Sequence, residues 1–306
     1  MNWLALTLIS PAFAAAVVHF DKYLLRRHMR GGGIGSLVIF SSLIGIPAAF
    51  VIYIFNINVF DIYISSRFLI MLTGTVYILW LLPYLYALEK DETSMVTPIF
   101  QTSSLFSFLL GYVFLGETLS IVEFLGGILI LMGSLALTLE FTKGNLFKIK
   151  YSVLFLMLIS SFLYSVNGLL FKVFALQESF WVTSFWQYIG ISLTGILLLI
   201  FLKPYRKQFV DIVKQNSVLI IGLNATNEII NIVAKTAFDL ATLLAPLALV
   251  YFVVEGFQPV FTLVYGIVLT IFFPRIVKEN LEKRYLIQKI ISIGTIFIGT
   301  ILIHLF

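Results

Sequence analysis

The sequence predicts an all-α integral membrane protein with ten transmembrane helices in two inverted five-helix repeats. Three observations predict it. Of 306 residues, 60% are hydrophobic and only 11% are charged, with a mean hydropathy of +1.04; an average soluble domain is about 25% charged. Apolar runs of about 20 residues recur along the chain, each long enough to cross a bilayer core of about 30 Å. Backbone groups in lipid must be satisfied within the segment, so these runs are helices; the alternating segments of about 10 residues that a barrel needs are not visible. Third, the second half of the chain echoes the first.

The runs can be taken in order. Helix 1 (3–25) contains Ala12-Phe13-Ala14, which imitates a signal-peptide cleavage site. It lacks a positive n-region, and Asp21, Lys22, Arg26 and Arg27 lie at its far end, so it reads as a retained helix. Gly31-Gly32-Gly33-Ile34-Gly35 is a turn leading into helix 2 (34–56), without the strand and Lys-Ser/Thr of a phosphate loop. Helix 3 spans 67–88, and LEKDETS (88–94) is a solvated connection to helix 4 (93–115). Within helix 4, Pro98 removes a backbone donor, and Thr97, Gln101 and Ser104 share one face at i, i+4 and i+7. That polar face lines a path or bonds to neighbouring helices. Gly116-Glu117 supplies a tight turn, with Glu117 placed at a helix N-terminus where a carboxylate is stabilised. Gly126, Gly127 and Gly133 let helix 5 (120–140) pack closely. Helices 6 (151–174), 7 (180–202), 8 (217–238), 9 (243–273) and 10 (285–305) follow.

The repeat is read from aligned segments. LISPAFAAAVVHFDKYLL (8–25) matches LISSFLYSVNGLLFKVFA (158–175), pairing Ser10 with Ser160 and Lys22 with Lys172. ETSMVTPIFQTSSLF (92–106) matches LATLLAPLALVYFVV (240–254) through Pro98 and Pro246. GETLS pairs with KENLE, setting Glu117 beside Glu279. The units are therefore 1–148 and 149–306. An odd number of spans per unit inverts one against the other, which is the architecture of many secondary transporters, with the substrate site near the midplane between repeats.

The net charge of +5 is distributed by side. Connections after helices 1, 3, 5, 7 and 9 hold 16 of the 20 Lys and Arg residues, while the opposite side holds Arg67, Lys172 and Lys235. The positive-inside rule makes the basic side cytoplasmic and puts both termini outside. The basic surface is then a topology signal and an anionic-lipid contact, not a nucleic-acid site. The absence of cysteine excludes disulfides, thiolate metal sites and cysteine nucleophiles. His19, His28 and His304 lie too far apart in sequence for a metal motif, and no catalytic constellation is present, so neither a cofactor nor an enzyme activity is expected.

Helix 8 carries the sharpest signal. Asn224, Asn227, Glu228, Asn231 and Lys235 fall at i, i+3, i+4, i+7 and i+11, a continuous face. A charge at the centre of a membrane helix costs about 2.5–3.5 kcal/mol and marks a functional site by default. Helix 9 adds Glu255 and Gln258 on one face, next to Gly256 and Pro259. With Pro246 upstream, helix 9 is expected to be bent or locally unwound there. Trp80, Tyr84, Tyr164, Trp186 and Tyr188 are candidates for apolar or cation–π walls, and Gln101, Asn167 and Gln187 for polar contacts. Lys22 and Lys172 are expected to bind helix-end carbonyls or snorkel.

The pattern YALEKDETSMVTPIF, FLGETLS and EFLGGILILMGS resembles the EamA-type transporters of the drug/metabolite transporter superfamily, and the resemblance covers essentially the whole chain, with the second half weaker. The resemblance implies ten helices, inverted five-helix repeats and secondary transport of small metabolites, often export of amino acids. Two features depart from it. The Pro98–Glu117 spacing is 19 residues but Pro246–Glu279 is 33, so helix 9 is extended. Relatives are expected to carry cytoplasmic termini, whereas the charges place them outside.

These readings converge on a secondary active transporter in the cell (inner or plasma) membrane. It is expected to export a small amphipathic or zwitterionic metabolite, with Glu228 or Glu255 carrying a proton or holding an ammonium group. A lipid or lipid-linked-intermediate flippase on the same scaffold is the alternative. Its partners are then the substrate, membrane lipids and protons, and the chain acts as a monomer or homodimer.

Overall fold

The computed structural model describes residues 3–27, 33–90, 93–138, 151–215, 217–272 and 283–305. The expected boundary between the units at 148/149, Gly31 and Gly32, Glu279, and the basic residues Lys143, Lys148, Lys150, Arg275 and Lys278 lie outside the described residues.

Among the described residues the regular structure is helical throughout. In chain order these helices are α1 (Trp3–Arg27), α2 (Ile34–Leu43), α3 (Gly45–Phe55), α4 (Ile64–Lys90), α5 (Thr93–Phe100), α6 (Thr102–Leu110), α7 (Ile121–Thr138), α8 (Tyr151–Gln177), α9 (Phe180–Phe201), α10 (Lys203–Gln215), α11 (Ser217–Leu244), α12 (Leu247–Phe272) and α13 (Lys283–Leu305). Nine spans among the described residues are long and apolar enough to cross a membrane, with α2–α3 and α5–α6 each forming one of them. The tenth expected span falls on α11. It is a helix of 28 residues and carries the stripe of Asn, Glu, Lys and Asp.

Backbone chemistry explains the breaks. Pro47 cannot donate to Leu43, and the helix is interrupted between α2 and α3 at Ile44. The span holding Pro98 breaks at Gln101. It ends in a π-helical turn (Gly111–Leu115) and at Gly116, whose φ of 66° is left-handed and suits glycine. Ser120 and Glu123 then form a reciprocal capping box that starts α7: the Ser120 hydroxyl accepts from the Glu123 N–H at 3.2 Å, and the Glu123 carboxylate accepts from the Ser120 N–H at 2.7 Å.

Three expectations are corrected. The basic connection after helix 7 is not a loop but the amphipathic helix α10, held to α2 where Gly35 N–H donates to Gln208 Oε1 at 3.0 Å. Helix 8 does not stop at 238; α11 continues to Leu244, and Pro246 sits in the break before α12. Helix 9 is not unwound at Gly256–Pro259, since α12 runs unbroken through both. The carbonyl that Pro259 leaves without its backbone donor is that of Glu255, and Ser134 Oγ of α7 donates to it at 3.2 Å.

Packing pairs α1 with α11 and α12, α4 with α8 and α9, α6 with α8, and α7 with α13. The seam between α7 and α13 depends on small residues, as a Cβ at Gly126 would lie 2.8 Å from the Gly299 carbonyl. α12 is the innermost helix, with Tyr251 and Phe252 fully buried. Around it, the membrane-spanning helices of both halves line a cavity.

Candidate functional site

The cavity has a volume of about 510 Å³ and draws its walls from α1, α2, α4, α5, α7, α8, α11, α12 and α13. α11 contributes Glu228, Asn231, Ala234, Lys235, Phe238 and Asp239. A period of 3.6 residues sets Glu228, Asn231, Lys235 and Asp239 along one face, and the pairing of α1 with α11 brings Asp21 opposite them.

Hydrogen bonds organise this wall. The Ser41 hydroxyl donates to Glu228 Oε1, and Asn231 Nδ2 donates to Glu228 Oε2 at 3.2 Å and to the Tyr77 hydroxyl oxygen at 3.1 Å. Asn227 Nδ2 donates to Asp21 Oδ1 at 2.7 Å. One turn deeper, Lys235 donates to Asp239 and, at 2.5 Å, to Gln187 Oε1, with its ammonium 4.9 Å from the centre of the Phe171 ring. That cation is shared among a carboxylate, an amide oxygen and an aromatic face. Across the cavity stand Trp80, Phe100 and Tyr164, with centroids 4.9 Å apart for Trp80–Tyr164 and 5.1 Å for the stacked Phe100–Tyr164 pair. The site thus has an acidic, amide-rich wall and an aromatic wall. This composition suits a small molecule with a polar or cationic end and an apolar body.

The candidates named from sequence divide into three groups. Glu228, Asn231, Gln258, Trp80, Tyr164 and Asn167 line the cavity, although the Asn167 amide already donates to the Thr73 carbonyl at 2.8 Å. Asn227 and Gln187 stand behind the wall and hold Asp21 and Lys235 in place. Glu255, Gln101 and Asn224 are buried away from it. Gln101 donates to Ser134, so the polar face Thr97–Gln101–Ser104 is split: Thr97 lines the cavity while Gln101 turns to α7. The break at Gln101 accounts for the split. Glu255 is 2% exposed, and its Oε1 has no hydrogen-bond partner among the described residues.

Wall residues that were not anticipated as site residues include Asp21, Ser41, Tyr77, Phe100 and Asp239. Asp239 was legible as the i+4 partner of Lys235. Asp21 reads as part of the charged end of helix 1, and only the extension of α1 to Arg27 sets it a turn and a half inside the helix.

Away from the cavity, a second charged cluster joins three segments. Lys172 Nζ lies 2.5 Å from Glu117 Oε1 and donates to the Ala245 carbonyl at 2.8 Å, while Glu117 Oε2 accepts from the Leu247 N–H at 2.7 Å. Glu117 therefore caps α12, not the helix that follows it in sequence.

Residues 1–139 match the model of the EamA-like transporter family. The match covers 139 of the 306 residues. A crystal structure described only as that of a protein is similar in fold over 96% of this chain and 95% of its own, with a TM-score of 0.57 at 12% identity. None of the curated proteins matches the sequence.

Proposed function

We infer that this chain is an EamA-type transporter, a secondary active carrier that exports a small amphipathic or zwitterionic metabolite, of amino-acid character, by alternating access around the cavity. The observation that carries this reading is the cavity itself. One space is lined by α1, α4 and α7 from the first half and α8, α11 and α12 from the second, with Glu228 on its wall. A carboxyl group in the apolar interior can hold a proton, exchange it for an ammonium group, and release either when access changes sides. The aromatic wall of Trp80, Phe100 and Tyr164 takes the apolar body. Glu255 is shut away from the cavity, which favours Glu228 as the coupling acid.

The exchange of partners between halves supports inverted repeats: α1 packs on α11 as α4 packs on α8. The cavity also extends toward Thr97, Thr138 and Lys289, where α5 begins, α7 ends and α13 begins. That end bears the basic connections, so the positive-inside rule makes it cytoplasmic. The conformation is then inward-open, with both termini outside.

The test is reconstitution in liposomes loaded with isotope-labelled cell extract. A pH gradient is imposed and the solutes lost or exchanged are identified by mass spectrometry, with Glu228→Gln in parallel. Selective loss of one class of amine-bearing metabolite, abolished in the variant, is expected. Selective movement of lipid with no solute movement would replace the carrier reading with a flippase.

A further inference from the structure

A second acid shares the wall with Glu228. Asp21 of α1 faces the same cavity, and the amide of Asn227, the residue before Glu228, donates to it at 2.7 Å. Two carboxyl groups from adjacent helices therefore face one cavity, and consecutive residues of α11 contact one and supply the other. Among the described residues their surroundings are one-sided. Glu228 receives the Ser41 hydroxyl and the Asn231 amide, and Asp21 receives the Asn227 amide, all of them neutral donors. Lys235, on the same helix, is held by Asp239 and Gln187. Asn227 is 1% exposed, and its Oδ1, on the amide bonded to Asp21, accepts no hydrogen bond among the described residues. Leaving such an acceptor unmet costs about 1–3 kcal/mol. Two carboxyl groups facing one cavity with only neutral donors are a pair of acceptors in want of a charged donor. The remaining ionisable groups on the wall are Lys22 and His19 of α1, Tyr77 and Tyr84 of α4, Tyr164 of α8 and Lys289 of α13. The Tyr77 hydroxyl is already tied to Asn231, and the His19 ring to the Thr262 carbonyl at 3.1 Å.

We propose that Asp21 and Glu228, with Asn227 holding the Asp21 carboxyl from behind the wall, form a single cation subsite that takes the primary ammonium group of the substrate and, between substrates, a proton. Its purpose rests on the carrier reading above. Its test does not, because no transport step is involved.

Dicyclohexylcarbodiimide adds to a protonated carboxyl in an apolar setting without loss of any atom, leaving an N-acylurea that peptide mass spectrometry can locate. In the purified full-length protein, adducts are expected at both Asp21 and Glu228. Methylammonium is the probe. At about ten times its midpoint concentration the empty fraction of the site falls about tenfold, and modification of both acids should slow by that factor, whereas choline at equal ionic strength should have little effect. In Asp21→Asn, checked for an unchanged size-exclusion profile, methylammonium should no longer protect Glu228 at that concentration. Protection of Glu228 alone would overturn the shared subsite. So would absence of an Asp21 adduct where Glu228 reacts, or equal protection by choline. Any of these leaves the liposome experiment to stand or fall separately.

Discussion

The cluster at Lys172 and the wall at Glu228 begin from the same sequence feature, a charged residue inside an apolar run, and end as opposites. Lys172 is completed by the protein: its ammonium meets the Glu117 carboxylate and the Ala245 carbonyl, and the second Glu117 oxygen meets the N-terminus of α12. Three segments distant in sequence are tied together and each charge is neutralised where it stands. Glu228 and Asp21 are met by hydroxyl and amide groups and face an open volume. A buried charge that its own chain completes is architecture. A buried charge left incomplete beside a cavity is where a ligand can supply the missing half.

The largest effect is expected where the charge is complete. Lys172→Met leaves Glu117 without its cation in a site where the Lys172 side chain is 8% and the Glu117 side chain 17% exposed. Breaking a buried pair from one side costs about 3–5 kcal/mol, and the low end applies because Glu117 keeps some access to solvent. The thermal midpoint in detergent, followed by fluorescence-detected size exclusion, should fall steeply. The double variant Lys172→Met/Glu117→Gln should recover most of that fall, because the glutamine oxygen still accepts from Leu247 and no lone charge remains. If the double variant is as unstable as the single one, the charge pair is not what the cluster contributes.

Glu228→Gln should do the reverse. The amide oxygen still accepts from Ser41, and the lost charge was not completed by a cation among its hydrogen-bond partners. Stability should stay within about 1 kcal/mol of the parent, the worth of one ordinary hydrogen bond, while pH-driven solute movement is lost. A variant that melts as early as Lys172→Met would place Glu228 with the architectural charges and dissolve the contrast.

Much of this was legible before any coordinates. Hydropathy located the helices because each must exceed the bilayer thickness, and the stripe from Asn224 to Lys235 announced α11 as the polar helix. Side-chain direction was less legible. Gln101 and Thr97 share a helical face only while the helix is regular, and the break at Gln101 separates them. Glu255 and Glu228 both read as midplane acids, but which of them meets a cavity depends on the rotation of α12 against α7, fixed by contacts such as Phe252 on Gly127. Asp21 was masked by its neighbours: an acid followed by Lys22, Arg26 and Arg27 looks like a helix end, and a single sequence cannot say where that end meets the membrane surface. α10 was hidden for a similar reason, since its basic residues were counted for topology before its apolar face was considered.

The smallest effect tests the innermost helix and the protein's habit of completing its own polar groups. Pro259 lies in the middle of α12 and leaves the Glu255 carbonyl without a backbone donor, in an interior where that group cannot reach water. Ser134 supplies the donor from α7 and accepts from Gln101 in the same step. Ser134→Ala removes both bonds with almost no change in volume, at a cost of about 1 kcal/mol for each bond lost. Substituting Pro259→Ala in the same background restores the backbone N–H, so the double variant should melt above Ser134→Ala alone. Ser134 does not line the cavity, so carbodiimide modification of Asp21 and Glu228 should keep its parental rate in Ser134→Ala. If Pro259→Ala gives no recovery, the serine matters for Gln101 and not for the carbonyl that the proline leaves open.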